Sequence, residues 1–207
     1  MSLFLNQTFW ENRLAGELPG RKSHEAFYPL RQKELTEIDV THYRKAAVGI
    51  HLFPKNGKCC FLVIERAEYD GTHSKQMAFP GGKVDLTDEN TIHTARRESF
   101  EEVGIPQEKG KFLGSLTTVH IPVSSFSVDP HLFFHEELLA FIPDEREVHA
   151  YYLFDLEDLL EPSNCKEVDI PVNARTTMKR VPCFELKGKI IWGATAIILS
   201  ELKDLIK

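Results

Sequence analysis

The chain has 207 residues, 42% hydrophobic and 27% charged, with a net charge of −6. That length and composition suit one domain with a packed core and exclude global disorder. An acidic balance without clustered Lys and Arg excludes a nucleic-acid duplex as the main partner; a small anionic substrate stays open, since a basic pocket or bound cation can reverse the sign locally.

In chain order, residues 1–43 read as an N-terminal helical arm, with a helix from Leu3 to Leu14 and breaks at Pro19-Gly20 and Pro29. The stretch from Met1 to Trp10 has neither the basic region nor the cleavage site of a secretory signal. Residues 44–207 read as the main domain. The apolar runs Ala46 to Phe53 and Cys59 to Ile64 flank an Asn56-Gly57 turn, which predicts a hairpin. A loop over 67–75 leads to Met77-Ala78-Phe79 and Pro80-Gly81-Gly82. A helix is predicted over 91–103. Strands are predicted over 111–121, 131–142 and 148–154, and a short helix from Leu156 to Leu160. Lys187-Gly188-Lys189 marks a second hairpin, and a closing helix over 193–206 puts Ala196, Leu199, Leu202 and Ile206 on one side. Strands outnumber helices without alternating with them, so the expected class is α+β, helices packed around a mixed sheet. The cysteines, Cys59, Cys60, Cys165 and Cys183, match neither a disulfide framework nor zinc spacing. With no apolar run near the roughly 18 residues of a spanning helix, the expectation is a cytoplasmic protein without a membrane partner.

The chemistry concentrates between Gly81 and Gly104. Thr87 or Asp88 is placed to cap a helix that Gly104 ends. Ile92, Ala95, Ser99 and Val103 fall on one face and pack inward. Glu98, Glu101 and Glu102 fall beside them at i, i+3 and i+4. Like charges at these spacings cost about 0.2–0.5 kcal/mol per pair. Two readings follow: a solvated acidic face, or carboxylates collected for a divalent cation, which takes hard oxygen ligands.

Arg97-Glu98, Glu101-Glu102, Gly104 and Ile105 resemble the Nudix box: Gly, five residues, Glu, seven residues, Arg-Glu, an aliphatic, any residue, Glu-Glu, any residue, Gly, an aliphatic. Ser99 stands where the aliphatic is usual. Counting from Gly82 puts Asp88 at the first acidic position, and counting back from Arg97 puts Glu89 there, so either is expected to brace Arg97. Upstream, Arg66-Ala67 and, after the family's spacing, Phe79-Pro80-Gly81-Gly82 resemble the signature of the coenzyme A diphosphatases, with Ile64, Gly71 and Lys75 departing from it. The tail Ile191 to Ala196 is similar to the same subfamily.

The resemblance implies the Nudix α/β/α sandwich around a mixed sheet. It implies Mg²⁺ or Mn²⁺ held by Glu98, Glu101 and Glu102 with Gly82, and catalysis by Glu98, Glu101 and Arg97. It implies substrate contacts from Arg66, Lys75, Gln76, Phe79 and Gly81. The implied reaction is hydrolysis of the coenzyme A diphosphate to 4'-phosphopantetheine and adenosine 3',5'-bisphosphate. Glu101 or Glu98 is the favoured base, with His73, His120 and Glu147 as other candidates. Pairing into homodimers is common in the family. Competing readings are a Nudix hydrolase of ADP-ribose, NADH or a dinucleoside polyphosphate, and a Nudix-like binding module without turnover. Several residues have plainer roles open to them: Arg66 as a strand-end charge, Phe79 as core, Trp192 as a packing anchor, and His120, His131 and His135 as hydrogen-bonded strand residues.

Overall fold

In a computed structural model, residues 2–28, 39–67, 76–173 and 176–207 are described. The long strands β1 (Arg44–Lys55) and β2 (Lys58–Arg66) form the hairpin about Asn56-Gly57, with Leu52 opposite Phe61. β1 also runs parallel to β7 (Phe126–Phe134) and antiparallel to the short β4 (Gly81–Lys83). β3 (Met77–Ala78) and β8 (Val148–Asp155) add to β2, while β5 (Lys111–Ser115) and β6 (Val119–Ile121) add to β7. The result is a mixed sheet of eight strands. A second, three-stranded sheet is built from β9 (Cys165–Asn173), β10 (Thr176–Leu186) and β11 (Lys189–Trp192).

Alternation along β1 sorts its side chains between two layers. Ile50 and Leu52 join a large core containing Phe61, Leu132 and the apolar residues of α4 (Gly193–Leu205). Ala47 and Phe53 face the other side, toward Ala95 and Val103 of α3 (Thr91–Val103). Helices therefore cover both faces of the mixed sheet, the α+β sandwich expected.

Three expectations change. The stretch 111–121 is two strands, because Leu116, Thr117 and Thr118 leave regular pairing between β5 and β6. The strand placed over 131–142 starts at Phe126 and ends at Phe134. A strand-interior proline normally breaks the ladder. Here the Pro130 carbonyl accepts from Leu116 at 2.9 Å, so its missing N–H faces the gap where neighbour β5 gives way to β6. The second sheet extends the 184–191 hairpin back to Cys165, a span whose prolines, Pro171 and Pro182, mask its strand character.

The arm is also more tightly integrated than its polarity suggests. A 3₁₀ turn (Leu3–Leu5) and α1 (Gln7–Ala15) put Phe4 and the fully buried Trp10 into the main core, and the Trp10 indole donates to the Phe4 carbonyl at 2.9 Å. After α2 (Arg21–His24), Phe27 stacks on Phe184 of the second sheet, 4.7 Å between centroids. Glu201 of α4 pulls the arm down: it accepts from His24 Nε2 at 2.8 Å, from the Gly20 amide at 3.2 Å and from the Thr117 hydroxyl at 2.8 Å. Truncation of a buried tryptophan costs about 3–5 kcal/mol, so Trp10→Ala is expected to lower the unfolding free energy by that amount in urea titrations. A loss below about 1 kcal/mol would mean the arm is detached from the core in solution.

Candidate active site on the helix α3

α3 begins where the Asn90 side chain accepts from the His93 amide at 2.9 Å, so Asn90 is the cap, not Thr87 or Asp88. It ends at Gly104, whose φ of +72° suits glycine and whose amide donates back to Phe100. Ala95, Ser99 and Val103 are buried, as their spacing predicts, and Glu102 is buried with them. The three carboxylates are unequal: Glu102 is 0% exposed, Glu98 14% and Glu101 50%.

Gly82 lets the helix approach β4, and Gly81 lets β4 approach β1. A Cβ at Gly82 would sit 2.5 Å from Glu98 Cδ, so the Glu98 carboxylate fills the space that any other residue would occupy. A Cβ at Gly81 would sit 2.6 Å from Val48 Cα on the neighbouring strand. The Gly81 amide donates to Glu102 Oε2 at 2.8 Å, and Arg66 Nη1 donates to Glu102 Oε1 at 3.3 Å. Burial pushes the Glu102 carboxyl up to about 8, against the opposing pull of Arg66 and the Gly81 amide. Burial also raises Glu98, partly offset by Arg97.

Arg97 organises the outer side. Its Nε and Nη2 form a two-pronged pair with Asp88, both at 2.9 Å, and Nη2 also donates to the Lys83 carbonyl at 3.2 Å. Its Nη1 donates to Glu98 Oε1 at 2.8 Å and to Glu101 Oε2 at 2.9 Å. The brace is therefore Asp88. Glu89 instead offers its backbone amide to His93 at 3.3 Å. The extra loop residue is absorbed by a side-chain turn: Asp85 accepts from Thr87 at 3.0 Å, and the Asp85 amide donates to Asp88 at 2.9 Å. Hydrogen bonds from Arg97 hold the Asp88 carboxyl well below the usual range.

Of the other expected residues, Arg66 is 28% exposed and lies against Glu102. The Gln76 carbonyl accepts from the Arg66 amide at 3.0 Å, which places Gln76 at the same strand end. Phe79 is a correction: 2% exposed and packed near Phe61, its ring belongs to the core and offers no surface to a substrate. Lys75, Gly71 and His73 lie outside the described residues. His120, on β6, pairs with Ser127 and meets the Tyr43 ring edge-on. Exposed Glu147 lies close enough to raise both Glu98 and Glu102 by its charge.

These donors suit a divalent cation by their chemistry. Carboxylates from one helix beside a glycine carbonyl form an all-oxygen set, the chemistry Mg²⁺ and Mn²⁺ prefer, and the Gly82 cradle seats Glu98 at strand level. As arranged, no three acidic, His or Cys side chains among the described residues close into a cage; Arg97 Nη1 occupies Glu98 and Glu101. The donor chemistry fits such a cation.

Removing one partner of a buried ion pair costs about 3 kcal/mol or more. Asp88→Asn is expected to lose about that in chemical denaturation, whereas Glu89→Gln stays within about 0.5 kcal/mol of wild type. Equal losses would contradict the assigned brace.

The NUDIX domain model matches residues 42–174. The uncharacterized Nudix hydrolase NudL of Enterobacter sp. (strain 638) is 36% identical over 164 residues, covering 79% of this chain and 83% of the relative. Its namesake from Salmonella heidelberg (strain SL476) is 34% identical over 179 residues, covering 84% and 90%. Among solved structures, a MutT/nudix family protein from Enterococcus faecalis aligns with a TM-score of 0.51 at 15% identity, over 90% of this chain and 73% of that one. The MutT protein from Methanosarcina mazei Go1 aligns at 0.50 and 21% identity, over 78% and 93%; both show likeness of fold alone. With its Arg97-Glu98 and Glu101-Glu102 pairs set against a Gly-Gly strand and the family's model spanning most of the chain, this protein belongs to the NUDIX domain family.

Proposed function

We propose that the protein is a Mg²⁺- or Mn²⁺-dependent diphosphatase that splits coenzyme A into 4'-phosphopantetheine and adenosine 3',5'-bisphosphate. The observation that carries the hydrolase reading is the nest in which Gly82 receives the Glu98 carboxylate and Gly81 receives that of Glu102. Support for coenzyme A comes from Arg66-Ala67 and its spacing to Phe79-Pro80-Gly81-Gly82.

Glu98, Glu101, Glu102 and the Gly82 carbonyl are the groups that would hold the cation. When bound, it neutralises diphosphate oxygens and makes a coordinated water a better nucleophile. Arg66, beside Glu102, is placed to take a substrate phosphate. Glu98 or Glu101 accepts the proton as the water oxygen forms its bond to phosphorus, and the P–O bond of the anhydride breaks with its electron pair leaving on the departing phosphate. Arg97, bound to Asp88, orients those carboxylates. All four cysteines are free thiols, which suits the proposed cytoplasmic location.

The departures at Ile64, Gly71 and Lys75 make a substrate panel the decisive experiment. Purified protein with Mg²⁺ or Mn²⁺ is expected to release adenosine 3',5'-bisphosphate from coenzyme A faster than it cleaves ADP-ribose, NADH or a dinucleoside polyphosphate. A faster reaction with ADP-ribose overturns the coenzyme A assignment, and no turnover of any diphosphate favours a binding module. Glu102→Gln is expected to cut turnover about a hundredfold or more with the circular dichroism spectrum unchanged.

A further inference from the structure

The residue at which the box departs from its family pattern, Ser99, has a structural partner. Its hydroxyl donates to the Ala95 carbonyl at 2.6 Å and lies 2.8 Å from His51 Nε2. The proton on Ser99 is committed to the carbonyl, so His51 Nε2–H must be the donor to Oγ. Neutral His51 then has a bare Nδ1, which accepts from His135 Nε2–H at 2.9 Å. The result is a one-way chain from the end of β7 through β1 into the third turn of α3. All three residues are buried. His51 lies against Phe133, 5.0 Å between centroids, and His135 against Phe53, 4.2 Å.

The surrounding backbone makes room for it. A Cβ at Gly49 would sit 2.6 Å from His51 Nε2 and 2.9 Å from Ser99 Oγ, and one at Gly110 would sit 2.6 Å from the His135 ring. At the other end of the helix, His131 bridges Thr91 at 3.0 Å and Ser115 at 2.8 Å. The helix is thus tied to the sheet at its first residue and in its third turn by hydrogen bonds, at an interface that apolar packing usually fills.

We propose that the His135–His51–Ser99 chain is a positioning device that sets the roll and axial register of α3, and through it the places of Glu98 and Glu102. Ser99 lies between these two residues on the helix. An aliphatic side chain resists withdrawal from the sheet but tolerates small rotations; a directional chain resists both. Rotation matters here, because Glu98 fits a space only one glycine wide and Glu102 meets one amide. His51, His135 and Ser99 touch no substrate and act through the carboxylates. The inference rests on the cation-dependent diphosphatase reading above.

The test compares wild type, Ser99→Ala and the paired variant His51→Leu/Ser99→Val. Thermal unfolding and circular dichroism report stability, paramagnetic resonance of free Mn²⁺ reports cation affinity, and kcat and KM are read separately with a diphosphate substrate. Loss of an outer partner of a metal site costs about tenfold or more in affinity or activity. Ser99→Ala is therefore expected to weaken Mn²⁺ binding and lower kcat about tenfold, with KM changed by less than about twofold. The paired variant leaves no polar atom unpartnered at the helix and only His135 Nε2–H without its acceptor, so it regains part of the stability, yet keeps the weakened Mn²⁺ binding and low kcat. It decides the matter if Ser99→Ala does not fold. The positioning role is overturned if folded Ser99→Ala matches wild type in both readouts, or if the paired variant recovers both. Wild-type protein that neither binds Mn²⁺ nor cleaves any diphosphate overturns the diphosphatase reading instead.

Discussion

The closeness with which α3 lies on β1 and β4 governs the rest of the structure. Gly82 on β4 and Gly49 on β1 remove the side chains that would keep the helix away, and Gly81 lets β4 close on β1 beneath it. Two consequences follow. A carboxylate can be sunk to the level of the strand backbone, as Glu98 is beside Gly82. Another can be taken wholly out of water and still find a donor, as Glu102 does at the Gly81 amide. Burying a carboxylate is unfavourable unless such partners meet it, and the upward shift of Glu102 shows that its partners meet it only in part.

Arg97 completes this arrangement from the solvent side. Its forked pair with Asp88 locks the guanidinium plane, leaving Nη1 to reach Glu98 and Glu101. Because the Asp88 side chain is buried and that of Glu101 half exposed, the two sides of the guanidinium differ: one is closed off from water, and the other meets it. The folded loop from Asp85 to Asp88 serves the same end, since the turn at Asp85 brings Asp88 to the Arg97 fork.

The sequence made α3 legible to its last residue, because periodic small residues and a terminal glycine are local signals. The Asn56-Gly57 hairpin was readable for the same reason. What escaped was set by distant neighbours. Pro130 hides the first half of β7 until its pairing gap is known. The choice between Asp88 and Glu89 depends on how a loop folds back, which counting in either direction cannot decide. Phe79 sits in a motif with Gly81 and Gly82, yet the link between β3 and β4 turns it into the core. Trp10 and Phe27 belong to an arm of mixed polarity, and their burial depends on a surface assembled from β10, α4 and the main sheet. His51 gave no signal by itself. The available clue was Ser99, a polar residue at a position that faces the sheet and therefore needs a partner there.

That last case shows how a departure from a family pattern can be absorbed without loss of order. Placing a hydroxyl under the helix requires a donor opposite, and a histidine there requires its second nitrogen to be met in turn. The requirement passes from Ser99 to His51 and on to His135, each step at 2.8–2.9 Å. Space is provided by glycine at 49 and 110. Arg96 lies over the Phe133 ring at 4.7 Å and donates to the Lys109 and Gly110 carbonyls, each at 2.8 Å. This draws the loop after α3 against His135 and shields the outer end of the chain. Burial and the nearby cations Arg96 and Lys109 push His135 down to about 4, and burial drives His51 well below its ordinary value. Both rings therefore stay neutral at neutral pH, the state this order of donors and acceptors requires. One polar residue in the box thus couples two strands, a loop and α3, and an aliphatic side chain in its place would leave the His51 donor buried and unmet.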